Sequence, residues 1–367
     1  MRNKYLGISV YPEHFTEQET INYLKTCYEA GFRKVFLSIL QLGEEPEKDL
    51  LEYYERIILL AHDMGYYTVV DISDVTLKMY KITDNELAFF KTKGIDCIRL
   101  DAPFLAQKVA QTTYQDLDIQ INASNNDHFI TNICDFMPNK DRLFGCHNFY
   151  PLANSALSDR LFLESTKKFR DLDIEVSCFV GSDYGKKGPQ KFDVSKLVSC
   201  ESYRNLKIKN QIKLALSTNL FESIYVGNQP LSNEEIKSIR ELKFDNVFEF
   251  DIKLEKNIAD YELDIINFNN HFWRGDANES FIRSTQPRVV FKNDIMPNNL
   301  NNKYNYGDVC IINSNNKHYQ KEVLIVLKDN YIDFKDSVNK IGTISKDDLL
   351  LLKNIKPWNK FRFNIIK

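Results

Sequence analysis

Eight times between residues 5 and 244 a short apolar run is followed by a polar loop and then by a helical pattern. The runs are Tyr5–Val10, Lys34–Leu40, Tyr67–Asp71, Cys97–Asp101, Leu117–Ile121, Arg142–Cys146, Glu175–Val180 and Ser223–Val226. They are nearly continuous in apolar residues, the mark of strands buried on both faces. Capping boxes at Thr16–Glu19, Thr83–Glu86 and Ser232–Glu235 mark helix starts, and Gly31, Gly65 and Gly94 mark helix ends. Eight strand-then-helix units of this length predict a (β/α)8 TIM-type barrel over residues 1–244.

The pattern changes at Asp245. From Val247 to Glu255 apolar and charged residues alternate strictly, as in a strand with one wet face. Further strands are expected at Leu263–Phe268, Arg288–Phe291, Val309–Asn313, Val323–Leu327 and Lys340–Ile344, with one helix at Lys346–Leu352. Residues 245–367 therefore read as a second, smaller, mostly antiparallel β domain.

Composition excludes more than it assigns. A formal charge of −3 gives no electrostatic case for nucleic acid. The seven cysteines form no CxxC pair and mostly sit inside apolar patterns, as expected of small buried side chains in a reducing cytoplasm. Met1-Arg2-Asn3-Lys4 runs at once into a strand with no signal region, and no run is long enough to span a membrane. Six histidines with no HxH or HExxH predict no catalytic metal, and the lack of GxGxxG or GxxxxGK[ST] predicts no nucleotide cofactor. No lysine ends the first strand, which argues against pyridoxal phosphate.

In a barrel of this kind the loops at the carboxyl ends of the strands converge on the active site. Asp71 and Asp101 end the third and fourth runs, and glycoside hydrolysis requires such a carboxylate pair. Neighbouring strands lie about 4.8 Å apart, which leans towards the roughly 5–5.5 Å separation of a retaining pair. Asp71 is assigned as the acid and Asp101 as the nucleophile or base. Arg99, two residues below the mouth, is expected not to reach Asp101. The competing reading makes both aspartates helix N-caps. Asn122, His147, Asn148 and Tyr150 also fall on this face, as amides and rings suited to sugar hydroxyls; Tyr150 and His147 read equally well as a barrel plug and a satisfied core histidine. The long seventh loop carries Lys187, a candidate phosphate contact, and Glu201, a candidate third carboxylate that can instead pair with Arg204 at i, i+3. In the second domain Arg274 and Arg283, with Ser284 and Thr285 nearby, suit an anionic phosphate, or else carboxylates across a domain interface.

Several segments together resemble the 6-phospho-N-acetylmuramidases. They are Leu6-Gly7-Ile8-Ser9-Val10-Tyr11-Pro12, Ile98-Arg99-Leu100-Asp101, Gly145-Cys146-His147-Asn148-Phe149-Tyr150-Pro151, Arg274-Gly275-Asp276, Ile282–Arg288 and Ile355–Phe363. The resemblance covers nearly the whole chain. It implies a barrel followed by a cyclophilin-like β domain, and cytoplasmic hydrolysis of N-acetylmuramic acid 6-phosphate–N-acetylglucosamine during cell-wall recycling. The implied partner is a small phosphorylated disaccharide, with no nucleic acid and no membrane. The chain departs from the family pattern at Tyr203, where a histidine is usual, at Trp273, where asparagine is, and over Gln190–Ser199. Those departures would suit an alternative reading, a non-catalytic sugar-phosphate-binding or regulatory protein on a diverged barrel.

Overall fold

The computed structural model describes residues 4–101, 104–301, 303–332 and 334–366. The stretch 1–3 ahead of the first strand lies outside them. The chain divides into two compact units, one of Met1–Ala215 with Leu220–Leu242, the other of Leu216–Asn219 with Lys243–Lys367.

The first unit is a closed barrel of eight parallel strands in sequence order. They are β1 (Tyr5–Val10), β2 (Lys34–Ser38), β3 (Tyr67–Ile72), β4 (Cys97–Leu100), β5 (Asp118–Asn122), β6 (Leu143–Cys146), β7 (Glu175–Val180) and β8 (Ser223–Val226). β1 pairs with β8 to close the ring. Phe36, Val69, Cys97, Cys146, Phe179 and Tyr225 pack together as one buried layer. Gly7 on β1 makes room for that layer, since a Cβ there would collide with the Tyr225 ring.

The helices follow the local signals with one exception. Thr16 and Ser232 cap Glu17–Glu29 and Asn233–Arg240 through complete capping boxes. At Thr83 only half of the box forms: the Thr83 backbone N–H and hydroxyl donate to the Glu86 carboxylate at 2.9 and 2.7 Å, while the Glu86 N–H donates to the Thr83 carbonyl at 3.0 Å. Thr83 closes a turn rather than capping a helix, and the segment after Glu86 is a 3-10 helix, Leu87–Lys93, ended by Gly94 in a left-handed conformation. Phe89 and Phe90 pack against Tyr80, ring centroids 5.5 and 5.6 Å away, the first tilted and the second edge-on.

The second unit holds a seven-stranded, mostly antiparallel sheet. Its strands are β9 (Phe248–Leu254), β10 (His271–Phe272), β11 (Phe281–Ser284), β12 (Asp308–Ile312), β13 (Val323–Val326), β14 (Val338–Ile344) and β15 (Lys360–Ile366). Their order is β10-β15-β9-β14-β12-β13-β11, and only the β15–β9 pairing is parallel. The two edges approach each other, because the Arg274 N–H donates to the Arg283 carbonyl at 2.9 Å, so the sheet is nearly closed.

Two segments expected as strands are helical. Asp260–Ile266 is an α-helix whose Glu262 carboxylate accepts the Ala259 N–H at 3.0 Å. Acids in a first turn suit the positive end of the helix, and that signal outweighs the apolar run behind it. Gln286–Val290 is a short helix with Pro287 in its first turn, where the missing N–H costs nothing. The segment expected as a helix near Lys346 is a 3-10 helix, Lys346–Lys353. Among the described residues no helix is long and apolar enough to cross a membrane.

Candidate functional site

Residues two apart on a strand share a face. Above the apolar layer of the barrel, the next inward position on four elements is polar: Ser38 beyond Phe36, Asp71 beyond Val69, Arg99 beyond Cys97 and Asn148 beyond Cys146. The interior thus changes from apolar to polar towards the carboxyl ends of the strands. A cavity of about 410 Å³ opens there, lined by Phe36, Ser38, Leu40, Gln41, Asp71, Arg99, Asp101, Asn148, Phe149, Phe179 and Pro189. That volume is ordinary for a small-molecule site.

Arg99 organises the polar layer. The β3–β4 register sets it opposite Asp71. Its Nη1 donates to Asp71 Oδ1 at 3.0 Å and to Asp101 Oδ1 at 3.2 Å, and its Nη2 donates to Asn148 Oδ1. The expectation that Arg99 would not reach Asp101 is therefore wrong. The side chain is long enough to climb from position 99 to the mouth, and a shared face makes the reach direct. Burial disfavours the Arg99 charge, but Asp71 and Asp101 beside it hold the guanidinium firmly protonated.

The two acids differ in environment. The Asp71 side chain is 9% exposed and that of Asp101 is 42% exposed. Burial pushes the Asp71 pKa up to about 6, against the pull of Arg99 and with the Asp101 charge reinforcing it. A carboxyl that holds its proton near neutral pH beside a second acid is the arrangement of a general acid and its partner. Both Oδ1 atoms bond one nitrogen, so they lie no farther apart than the sum of those two bonds, below the roughly 6.5–9.5 Å of an inverting pair.

Aromatic rings form one wall of the cavity. Phe36, Phe149 and Phe179 meet edge to face with centroids 5.0 to 6.5 Å apart. Gln41 is tied in place by bonds from Nε2 to the Ser38 carbonyl at 2.9 Å and to Glu13 Oε1 at 3.0 Å. Among the described residues no group of three or more His, Cys, Asp or Glu is arranged to hold a metal.

Residues 6–241 match the family model for the N-terminal part of 6-phospho-N-acetylmuramidase, and residues 248–364 match the model for its C-terminal part. The chain belongs to the 6-phospho-N-acetylmuramidase family. Among solved structures it is similar to an uncharacterized Bacillus cereus protein, at 28% identity and a TM-score of 0.88 over 99% of each chain. It is also similar in fold to a conserved Enterococcus faecalis protein of unknown function, at 23% identity and a TM-score of 0.72, covering 98% of this chain and 96% of that one. No curated protein matches.

Within this member of the 6-phospho-N-acetylmuramidase family the expected site residues separate into groups. Asp71, Asp101 and Asn148 line the cavity. Asn122 and His147 stand one step behind it: Asn122 Oδ1 accepts the Ser124 N–H at 2.8 Å, and the fully buried His147 bonds Ser124 and Thr166. Tyr150 forms a backbone bridge with Val198, and Lys187 pairs with Asp193 at 2.6 Å. In the second unit Arg274 pairs with Asp276 at 2.8 Å, while Arg283 and Arg288 each come within 3.0 Å of the buried Glu322. Arg99, Gln41 and the phenylalanine wall are the site residues that sequence reading did not assign.

Glu201 is not among the cavity residues. Its carboxylate accepts from Arg204 Nε at 2.6 Å and from the backbone N–H groups of Asn154 and Ala156 at 3.1 and 3.0 Å. The Arg204 bond, above all, holds its pKa below the usual range. These bonds make Glu201 a clasp between the sixth and seventh loops. Glu201→Gln is expected to lower stability by about 1–3 kcal/mol, the cost of weakening charge-assisted bonds. It should retain more than about a tenth of kcat, a loss of under about 1.4 kcal/mol. A urea titration and an initial-rate assay check both parts, and a hundredfold loss of kcat at unchanged stability would restore Glu201 as a catalytic candidate.

Proposed function

We propose that the chain is a cytoplasmic glycosidase that hydrolyses N-acetylmuramic acid 6-phosphate–N-acetylglucosamine to its two sugars, a step of cell-wall recycling. Family membership supports the substrate class. The observation that carries the chemistry is Asp71, a buried carboxyl beside Asp101 at the mouth of a barrel cavity, with its pKa pushed up to about 6. In this reading Asp71 protonates the glycosidic oxygen as the bond breaks, while the more exposed Asp101 attacks the anomeric carbon. Asp71, now ionised, then takes a proton from the water that releases the sugar from Asp101. Arg99 bonds both carboxylates and fixes them in place.

Turnover of a chromogenic N-acetylmuramic acid 6-phosphate glycoside tests the reading, with the unphosphorylated glycoside as comparison. Binding of the phosphorylated sugar without any turnover would instead favour a regulatory protein. The anomer released first, read by NMR, tests the double displacement.

The raised Asp71 pKa sets two pH dependences. Activity requires the protonated acid, so kcat/KM should fall as pH rises through about 6. Stability follows the same group with its own sign. Because the folded-state pKa exceeds the ordinary carboxylate value, the contribution of Asp71 is greatest below about pH 4 and is lost as pH rises through about 6. Asp71→Asn removes that loss, so its melting temperature relative to the wild type should climb between pH 4 and 7. Parallel melting curves for the two proteins would contradict the assignment.

A further inference from the structure

A line of buried hydrogen bonds runs behind Asn148, and its direction can be read from one end. Thr166 has a single hydroxyl hydrogen and donates it to the Phe162 carbonyl at 2.6 Å. Towards His147 Nε2, 2.7 Å away, Thr166 can therefore only accept, so the imidazole carries its proton on Nε2. The ring is fully buried, with the Phe162 and Phe221 rings 4.6 and 6.1 Å away, and burial pushes its pKa down to about 3. It is neutral, and Nδ1 is an acceptor. Ser124 Oγ, 3.3 Å away, donates to it. Ser124 Oγ in turn accepts the Asn148 backbone N–H at 2.8 Å, and the Ser124 N–H is held by Asn122 Oδ1.

The main chain of Asn148 is thus fixed from behind. Its side chain is fixed from the front, because a guanidinium can only donate. The oxygen of the amide faces Arg99, and the nitrogen is turned the other way. Asn148 lines the cavity, and among the described residues no partner is found for Nδ2.

We propose that Asn148 is a donor-only contact of the site, its Nδ2 bonding the acetamido carbonyl oxygen of the bound sugar, with Asn122, Ser124, His147 and Thr166 as positioning residues that hold it in that sense. Carbonyl and carboxylate oxygens only accept, so they complement the amide nitrogen. A hydroxyl fits by rotating its hydrogen away. An ammonium group at the same place meets a donor and is rejected. The substrate part of this proposal rests on the glycosidase reading; the hydrogen-bond line does not.

Two measurements keep those parts distinct. Long-range 1H–15N NMR on the full chain, with the His147 ring assigned through its contacts to Phe162 and Phe221, is expected to show the Nε2–H tautomer from pH 5 to 8. An Nδ1–H tautomer would overturn the line whatever the substrate. The second measurement compares binding of N-acetylmuramic acid 6-phosphate with that of muramic acid 6-phosphate, whose acetamido group is replaced by an amine. The wild type should prefer the acetylated sugar at least tenfold, and Asn148→Asp should abolish or reverse the preference. Ser124→Ala should raise KM about tenfold with kcat unchanged. Equal affinity for the two sugars, including none for either, sinks the Asn148 assignment. A Ser124→Ala variant with a lowered melting temperature but wild-type KM makes the line merely structural. Failure of turnover alone, with the sugar preference intact, falls on the glycosidase reading and leaves this one standing.

Discussion

Asp71→Asn and Asp101→Asn are each expected to lower kcat by about 10²–10⁴-fold, the range a positioned proton-transfer or nucleophilic group contributes. The substitution is nearly isosteric, and an asparagine Oδ1 still accepts from Arg99 Nη1, as the aspartate does at 3.0 or 3.2 Å. Geometry is kept and only the chemistry is removed, so at about pH 5, where Asp71 is protonated in the wild type as well, melting temperatures should change little compared with rates. The two variants should also differ from each other. A leaving group that departs without a proton makes the acid dispensable in the first step, so an activated aryl glycoside should restore much of the initial burst of aryl alcohol in Asp71→Asn, while release of the sugar from Asp101, which needs Asp71 as base, stays slow. The same glycoside should do little for Asp101→Asn, which lacks the attacking carboxylate. Initial rates on poor and activated leaving groups check this. If either variant keeps more than about a tenth of wild-type kcat on the poor leaving group, a loss below about 1.4 kcal/mol, that aspartate is not catalytic.

Arg99→Met should carry the largest cost in stability. Arg99 is buried and is the cation between two carboxylates. Removing one partner of a buried ion pair typically costs about 3–5 kcal/mol, because a charge is left without compensation. Here the loss has an escape, since Asp71 already holds its proton up to about pH 6 and would hold it higher still without Arg99. The loss should therefore be small at pH 5, where Asp71 is neutral in both proteins. It should approach the full value at pH 8, where only the wild type stabilises the ionised form. Urea denaturation at the two pH values measures it, and equal losses would show that Arg99 contributes packing rather than charge. The rate at pH 5 should fall as well, because Asn148 loses the bond that orients its amide.

The barrel was legible because its signal is repeated and redundant. Each strand is an apolar run, each of the strongest helix starts has a cap, and an error of two residues at the end of β2 alters nothing downstream. The second unit was less legible because short apolar runs do not reveal their period. Leu263–Ile266 fits a buried strand until Asp260 and Glu262 are weighed as a helix start. β15 was missed as a strand although Phe361 and Phe363 alternate with Arg362, which bonds Glu249 on the neighbouring strand at 2.7 Å. In the site, Asp71 and Asp101 were visible as strand-end acids. Arg99 was less legible, because its reach to the mouth depends on side-chain length and not on register alone. Asn122 and His147 are not among the cavity's lining residues, and His147 takes the place of the satisfied core histidine that the sequence left open beside a sugar contact, since only the fold shows which polar group faces in and which one supports it. Lys187 and Glu201 sit in a loop whose pairings, with Asp193 and Arg204, depend on how that loop turns back on itself.

The place of β15 has a consequence for how the polypeptide acquires its structure during synthesis. In the barrel each strand lies beside its predecessor, so pairing can proceed in the order in which the strands leave the ribosome, and only the β1–β8 seam waits. The second unit has no such order. β9 emerges first and takes β15 as its parallel neighbour, and β10 also pairs with β15. For more than a hundred residues of elongation β9 therefore presents an unpaired edge, and such edges invite association between nascent chains. Completion of this sheet is tied to arrival of its final strand, so the two units differ in when they become safe from one another's copies.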